Sequence, residues 1–189
     1  MIRIIAGSFK GKKLLQPNDF RTRPLKDLTK ESIFNIINHT KKFNINLSSS
    51  VVLDMFSGVG SFGIECISRG AKNVVFIENY RNVLTVLKKN LTNLKSISNY
   101  QIIENDIYDE KVYSNLNNNF DIIFLDPPYK DKNFVSVLLK IKEKNLLAPN
   151  GIIIIHRHKD ESDNLSLNFE ILEEKKYGIS KIFFMTFLK

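Results

Sequence analysis

Apolar residues along this 189-residue chain fall into two rhythms. Unbroken runs stand at Val51-Val52-Leu53, Val74 to Ile77, Ile122 to Leu125 and Ile152 to Ile155. Between them lie segments whose apolar residues recur every three or four positions: Ser61 to Ser68, the stretch carrying Val83, Leu84, Val86, Leu87 and Leu91, Ile107 to Leu116, and Phe134 to Ile141. An unbroken run reads as a strand buried on both faces, and the longer spacing reads as an amphipathic helix. Their alternation predicts an α/β protein with a doubly wound, mostly parallel sheet. Gln101 to Glu104 adds a strand. Phe169 to Glu173 and Lys181 to Phe187 add a closing antiparallel pair, which brings the sheet to seven strands with an antiparallel strand at its C-terminal end.

Ahead of this region, Ile2, Ile4 and Ile5 face Lys12 to Leu15 across Gly7 and Gly11, the pattern of a short hairpin. Residues 17–26 contain Pro17 and Pro24 and read as an irregular basic loop. Asp27 or Thr29 is expected to cap a helix carrying Ile33, Phe34, Ile36 and Ile37. The chain thus divides into a basic hairpin-and-helix extension over 1–45 and a larger domain over 46–189.

Composition narrows the class. Hydrophobic residues make up 43% and charged residues 25%, as in an ordinary globular protein. No apolar run reaches the length of a membrane span, and the first residues lack a signal peptide's apolar stretch, so a cytoplasmic location and no membrane partner are expected. The single cysteine, Cys66, excludes an internal disulfide and a multi-cysteine zinc site, and reads as a small buried hydrophobe. His156 and His158 lack further ligands; no metal is expected, and the two are placed at a basic rim. Nothing demands more than a monomer. The net charge of +8 is unevenly distributed. Residues 1–50 hold ten basic against three acidic residues, a net +7, which points that quarter toward a polyanion. Arg3, Lys10, Lys12, Lys13, Arg21 and Arg23 are the candidate nucleic-acid contacts.

The candidate chemistry sits where strands end. Asp54-Met55-Phe56-Ser57-Gly58-Val59-Gly60-Ser61-Phe62-Gly63 follows the first long strand and opens a helix. Gly58, Gly60 and Gly63 allow a tight turn and close approach of a nucleotide. Glu78 ends the next strand, 20 residues after Gly58, where a carboxylate receives a ribose diol. The pyrophosphate of a dinucleotide would repel Asp54, whereas the ammonium group of S-adenosylmethionine would suit it. Asp106, after the third strand, can accept from an adenine amine or cap the helix that begins at Ile107. Asp126-Pro127-Pro128-Tyr129 follows the fourth strand. An exocyclic amine on a base is a weak nucleophile, because its lone pair is shared with the ring. The Asp126 carboxylate and Pro127 carbonyl can hold its two hydrogens and favour in-line attack, and Tyr129 offers a ring for stacking.

These motifs together resemble a known family over the whole chain. Arg3-Ile4-Ile5-Ala6-Gly7, Gly11-Lys12-Lys13-Leu14, Arg21-Thr22-Arg23-Pro24, Lys30-Glu31-Ser32-Ile33-Phe34-Asn35, the glycine segment through Glu65, Ser68-Arg69-Gly70-Ala71 and Asp126 to Tyr129 are similar to the bacterial 16S ribosomal RNA guanine-N2 methyltransferases of the small subunit. The resemblance implies a Rossmann-like class I fold and S-adenosylmethionine as cofactor, with 16S ribosomal RNA or an assembling 30S particle as partner. It places Asp54, Phe56, Ser57, Gly58, Gly60, Gly63, Glu78, Asn79, Asp106 and Ile107 at the cofactor. It places Asp126, Pro127, Pro128 and Tyr129 at the guanine. Leu25-Lys26, Leu28-Thr29 and His156-Arg157-His158 depart from the family's usual residues and leave the cofactor positions intact. Other readings of the same residues are an amino-methyltransferase for DNA adenine or protein glutamine, a nicotinamide dehydrogenase, and a non-catalytic RNA-binding module.

Overall fold

The computed structural model describes residues 2–17, 25–116, 119–162, 165 and 169–188. Elements follow in the order β1 (Ile2–Arg3), β2 (Lys13–Leu14), α1 (Asp27–His39), a 3-10 turn (Leu47–Ser49), β3 (Val51–Met55), α2 (Ser61–Ser68), β4 (Asn73–Ile77), α3 (Arg81–Thr92) and β5 (Tyr100–Ile103). Then come α4 (Glu110–Ser114), β6 (Phe120–Leu125), α5 (Phe134–Glu143), β7 (Leu147–His158), β8 (Phe169–Tyr177) and β9 (Ser180–Phe187). Seven strands form one sheet in the order β5-β4-β3-β6-β7-β9-β8. Strands β3 to β7 pair in parallel, and β9 runs antiparallel to both its neighbours. The α/β class and doubly wound sheet expected from the sequence are the ones observed.

Each strand is apolar on both sides because both faces are covered. Val52, Phe76, Phe124, Ile154 and Phe184 pack with α1, α2 and α3, while Leu53, Val75, Leu125, Ile155 and Met185 pack with α4 and α5. The first face is tied to the N-terminal extension through stacked rings. Phe34 lies 5.2 Å from Phe62, and Phe62 lies 4.0 Å from Phe124. Ile2, Ile4, Leu14 and Leu25 are buried in that same cluster.

Polar contacts fix the extension more tightly still. The buried Glu65 carboxylate on α2 accepts from Ile5 N (2.8 Å) and Ala6 N (3.0 Å), and from Arg69 Nε (2.8 Å). The Lys30 Nζ, also sealed from solvent, sits 3.7 Å from Glu65 and donates to Arg3 O (2.7 Å) and Ser61 Oγ (3.3 Å). Burial lowers the Lys30 proton affinity, and the Glu65 and Asp27 carboxylates oppose that effect. At the far end of α2, Ser68 O accepts from Ser8 N (2.7 Å). Gly7 has φ +81°, and a Cβ there would stand 1.8 Å from Ser68 O, so only glycine lets the chain pass. Asn90 on α3 holds both Leu15 N (2.7 Å) and Leu15 O (3.2 Å) and donates as well to Val59 O (3.1 Å).

Three details differ from the sequence expectations. Neither Asp27 nor Thr29 caps α1: Lys26 occupies the cap without a side-chain bond, and Asp27 turns to Arg3, accepting from its backbone N–H and pairing with its guanidinium at 3.4 Å. The helix expected over Ile107 to Leu116 is only Glu110–Ser114, capped by Asp109, because Asp106 closes a separate turn on Tyr108 N (3.0 Å). The strand expected at Ile152 to Ile155 extends from Leu147 to His158, with an irregular register opposite Phe120 and Ile122. Within that extension, His156 and Arg157 are buried.

Glu65→Ala should therefore unmoor the extension, removing two backbone acceptors and leaving Lys30 charged and short of its buried partner. Urea denaturation should show a loss of roughly 3–5 kcal/mol, the usual consequence of breaking a buried pair. A loss below about 1 kcal/mol would mean that apolar packing alone holds the segment.

Candidate functional site

The order of strands sets where a ligand can lie. The chain steps outward from β3 to β4 to β5, then returns to place β6 on the other side of β3. The connections after β3 and β6 therefore diverge at the sheet's carboxyl edge and open a crevice there. Asp54 and Met55 are in register with Phe124 and Leu125, so the glycine segment and Asp126 to Tyr129 emerge side by side.

The glycine segment is held by carboxylates. Ser57 is pinned to β4, with its N–H and hydroxyl both donating to Ile77 O at 3.1 and 3.0 Å. Phe56 adopts φ +57°, a left-handed conformation rare for a bulky residue, and its ring stands edge-on to Tyr108 at 6.2 Å. Glu78 accepts from Gly58 N (2.8 Å), Asn79 N (3.0 Å) and Tyr80 N (2.9 Å). A carboxylate has about four acceptor sites, so one remains for a ligand hydroxyl. The buried Asp54 accepts from Gly63 N (2.8 Å) in the first turn of α2. A Cβ at Gly63 would meet Phe76 at 2.3 Å and the Asp54 carboxylate at 2.9 Å, which is why that turn needs glycine.

Burial pushes the Asp54 carboxyl well above the usual carboxylate range, against the Gly63 hydrogen bond, and the charges of Asp126 and Glu78 push it further. Three carboxylates within electrostatic reach of one another form a pocket of negative potential. That pocket suits a cation and opposes a phosphate.

Beside it lies a cleft of about 210 Å³ lined by Phe56, Ile77, Glu78, Asn79, Asn105, Asp106, Ile107, Tyr108, Pro128 and Asp131. Six of these, Phe56, Glu78, Asn79, Asp106, Ile107 and Pro128, are among the residues selected from sequence. Its lining mixes apolar and aromatic side chains with the carboxylates of Glu78, Asp106 and Asp131, a combination able to receive a nucleoside. Asp54, Ser57, Gly58, Gly60 and Gly63 stand behind the cleft and shape its backbone. Asp126, Pro127 and Tyr129 follow β6 on its flank.

Five residues at this site carry no site role from sequence. The Tyr108 hydroxyl donates to Asp131, and burial together with that carboxylate keeps the phenol protonated well above its ordinary range. Asp131 closes the turn after the two prolines, with its N–H on Pro128 O at 2.8 Å. Arg157 is fully buried and donates to Pro128 O (3.0 Å) and Asp131 O (3.1 Å), with its guanidinium 4.4 Å from the Phe134 ring centre. His156, expected at a basic rim, is instead buried, 2.8 Å from Asp126 Oδ1. His158 is partly exposed against the Tyr129 ring, 5.1 Å between centres. An arginine and a histidine at a strand end look like surface groups until the strand's length is known.

Arg3, Lys10, Lys12 and Lys13 are exposed on the N-terminal extension; Arg3 is paired with Asp27, and Lys12 lies over the Phe9 ring. Arg21 and Arg23 lie outside the described residues. Among the described residues no group of three or more His, Cys, Asp and Glu gathers in metal-ligating geometry, and no helix is long and apolar enough to cross a membrane.

The chain is similar to known proteins over nearly its whole length. The family described as Conserved hypothetical protein 95 matches residues 2–186. Ribosomal RNA small subunit methyltransferase D of Haemophilus influenzae is 36% identical over 179 residues, 94% of this chain and 90% of that protein. The protein of the same name from Escherichia coli K12 is 28% identical over 178 residues, 94% of this chain and 85% of its own length. A solved Haemophilus influenzae structure, 33% identical, superposes with a TM-score of 0.77 over 100% of this chain and 99% of that one.

Asp54→Asn separates the two duties of the Asp54 carboxylate. The amide oxygen can still receive Gly63 N–H, but the buried charge is gone. A folded carboxyl whose pKa is raised favours the protonated form, so the stability it withdraws grows as pH rises from the ordinary carboxylate value to the raised one. The variant should melt higher than the parent at neutral pH and bind S-adenosylmethionine roughly 10- to 100-fold more weakly, the worth of a charge-assisted contact. Unchanged affinity by calorimetry would remove Asp54 from the ligand's cationic end.

Proposed function

The chain belongs to the Conserved hypothetical protein 95 family, and from that membership and the geometry of its crevice we propose that it methylates the exocyclic N2 amine of a guanine in 16S ribosomal RNA. It is an S-adenosylmethionine-dependent methyltransferase. The observation that carries the finer reading is the placement of Asp126 to Tyr129 beside a carboxylate-lined crevice, on a chain whose excess positive charge lies almost wholly in residues 1–50.

In this reading Glu78, Asn79, Asp106, Phe56 and Ile107 hold the adenosine, and Asp54 faces the methionyl ammonium. When bound, S-adenosylmethionine supplies an electrophilic methyl on a cationic sulfur. The chain's own residues do the rest. Arg157 holds the Pro128 and Asp131 carbonyls and so sets the turn. The Asp126 carboxylate and Pro127 carbonyl receive the two amine hydrogens, drawing the nitrogen toward a tetrahedral shape with its lone pair directed at the methyl. Asp126 stabilises the positive charge that develops on nitrogen and takes its proton. Tyr129 stacks on the guanine once it is turned out of its helix. The basic hairpin contacts phosphates, which positions the enzyme without reading sequence. The same reading takes a single copy acting in the cytoplasm, with an assembling 30S particle as the form of the substrate.

Labelled S-adenosylmethionine with unmodified small-subunit RNA or partly assembled particles should yield N2-methylguanosine on nucleoside analysis. Label on an adenine or in a protein would redirect the acceptor. Asp126→Ala should lower kcat by roughly 100-fold or more while cofactor affinity changes little; equal loss of both would refute its role at the amine.

Replacing Lys10, Lys12 and Lys13 with neutral residues should weaken RNA binding at low salt. It should also flatten the plot of log affinity against log salt by roughly 0.7–0.9 for each phosphate no longer neutralised. An unchanged slope would take the hairpin out of the interface.

A further inference from the structure

We propose that His156 is a positioning residue for methyl transfer, holding Asp126 as an oriented anion through a hydrogen bond from its Nδ1–H. The inference rests on the assignment of Asp126 to the amine. His156 Nδ1 lies 2.8 Å from Asp126 Oδ1, and its Nε2 lies 2.9 Å from Ser180 Oγ on β9. His156 and Ser180 are each 5% exposed, so their contact is sealed from water, while the Asp126 side chain keeps 19% exposure.

The chemistry of the three groups fixes the hydrogen that matters. An ionised carboxylate only accepts, so the nitrogen facing Asp126 carries the hydrogen. At Nε2 the Ser180 hydroxyl can donate to a bare nitrogen or accept from a protonated one, so it holds the far side of the ring in either case. Ser180 is fixed in turn by its place on β9, opposite His158. The carboxylate is thereby held in one plane by a strand-borne side chain. Oδ1 is occupied by His156, and Oδ2 is the oxygen left to meet the amine. The adjacent Arg157 holds the Pro128 and Asp131 carbonyls, so two consecutive residues at the end of β7 fix the carboxylate and the turn behind it. Support of this kind, one side chain removed from the substrate, is how a site reaches the alignment that methyl transfer requires.

The step it serves balances simply. The amine nitrogen's lone pair forms the bond to the methyl carbon, the carbon–sulfur pair returns to sulfur, and the nitrogen's proton passes to Asp126 Oδ2. His156 keeps its own proton throughout and keeps Oδ2 directed at the amine. Without it the carboxylate can rotate, and the loss falls on turnover and not on binding of either partner.

His156→Leu should lower kcat roughly 10- to 100-fold, as a misplaced catalytic group does, with KM for the RNA and the S-adenosylmethionine Kd within about twofold of the parent. His156→Asn, whose amide can present an N–H at the Nδ1 position, should recover most of the lost turnover. Equal kcat in the two variants, or a loss carried by KM or Kd, would overturn the proposal. Nitrogen NMR of the labelled, unsubstituted protein tests the pair without substrate and without a folding risk. The His156 resonances, identified by their absence in His156→Asn, should show Nδ1 protonated; a ring protonated at Nε2 alone would overturn the proposal. If the parent methylates no guanine, the acceptor assignment fails by itself, and the NMR result still decides whether His156 holds Asp126.

Discussion

A carboxylate sealed from water must be surrounded by donors, and Glu65 organises the N-terminal part of the molecule through that requirement. Its two oxygens receive Ile5 N, Ala6 N and Arg69 Nε, with the Lys30 ammonium near by. The backbone of the hairpin is thus a ligand of the helix that opens at the glycine segment. Lys30 reaches Ser61 at the start of that helix, and Ser68 takes the hairpin backbone at its end. The hairpin is consequently not a freely jointed appendage, because its backbone is referenced to the same helix whose first turn Asp54 holds.

The crevice works by the opposite rule. There the carboxylates are gathered without enough cations, and the Asp54 carboxyl is driven toward its neutral form by burial and by its acidic neighbours. Charges of one sign held together by a fold are a store of unfavourable energy that a cationic ligand relieves. This explains how a glycine-rich segment of a kind shared with dinucleotide sites can discriminate by charge between a sulfonium cofactor and a pyrophosphate.

What could be read in the sequence followed from local chemistry. Unbroken apolar runs such as Ile152 to Ile155 declare a buried strand whatever surrounds them, and Gly58 with Glu78 declares a nucleotide turn by spacing. The seven strands and most of the crevice residues were legible in that way. Contacts set by strand register were not. Ser180 meets His156 only because β9 doubles back beside β7, and no periodicity encodes that pairing. The short α4 was hidden for another reason: Asp106 and Asp109 each offer the backbone a cap, and the chain used both, leaving a turn where a longer helix fitted the apolar spacing equally well.

The anchoring of Leu15 by Asn90 has a consequence for how this protein can diversify. The same amide donates to Val59 O within the glycine segment, so one side chain on α3 braces the hairpin and that turn together. A substitution at position 90 would disturb both at once, and the two parts of the molecule are thereby constrained to change in concert.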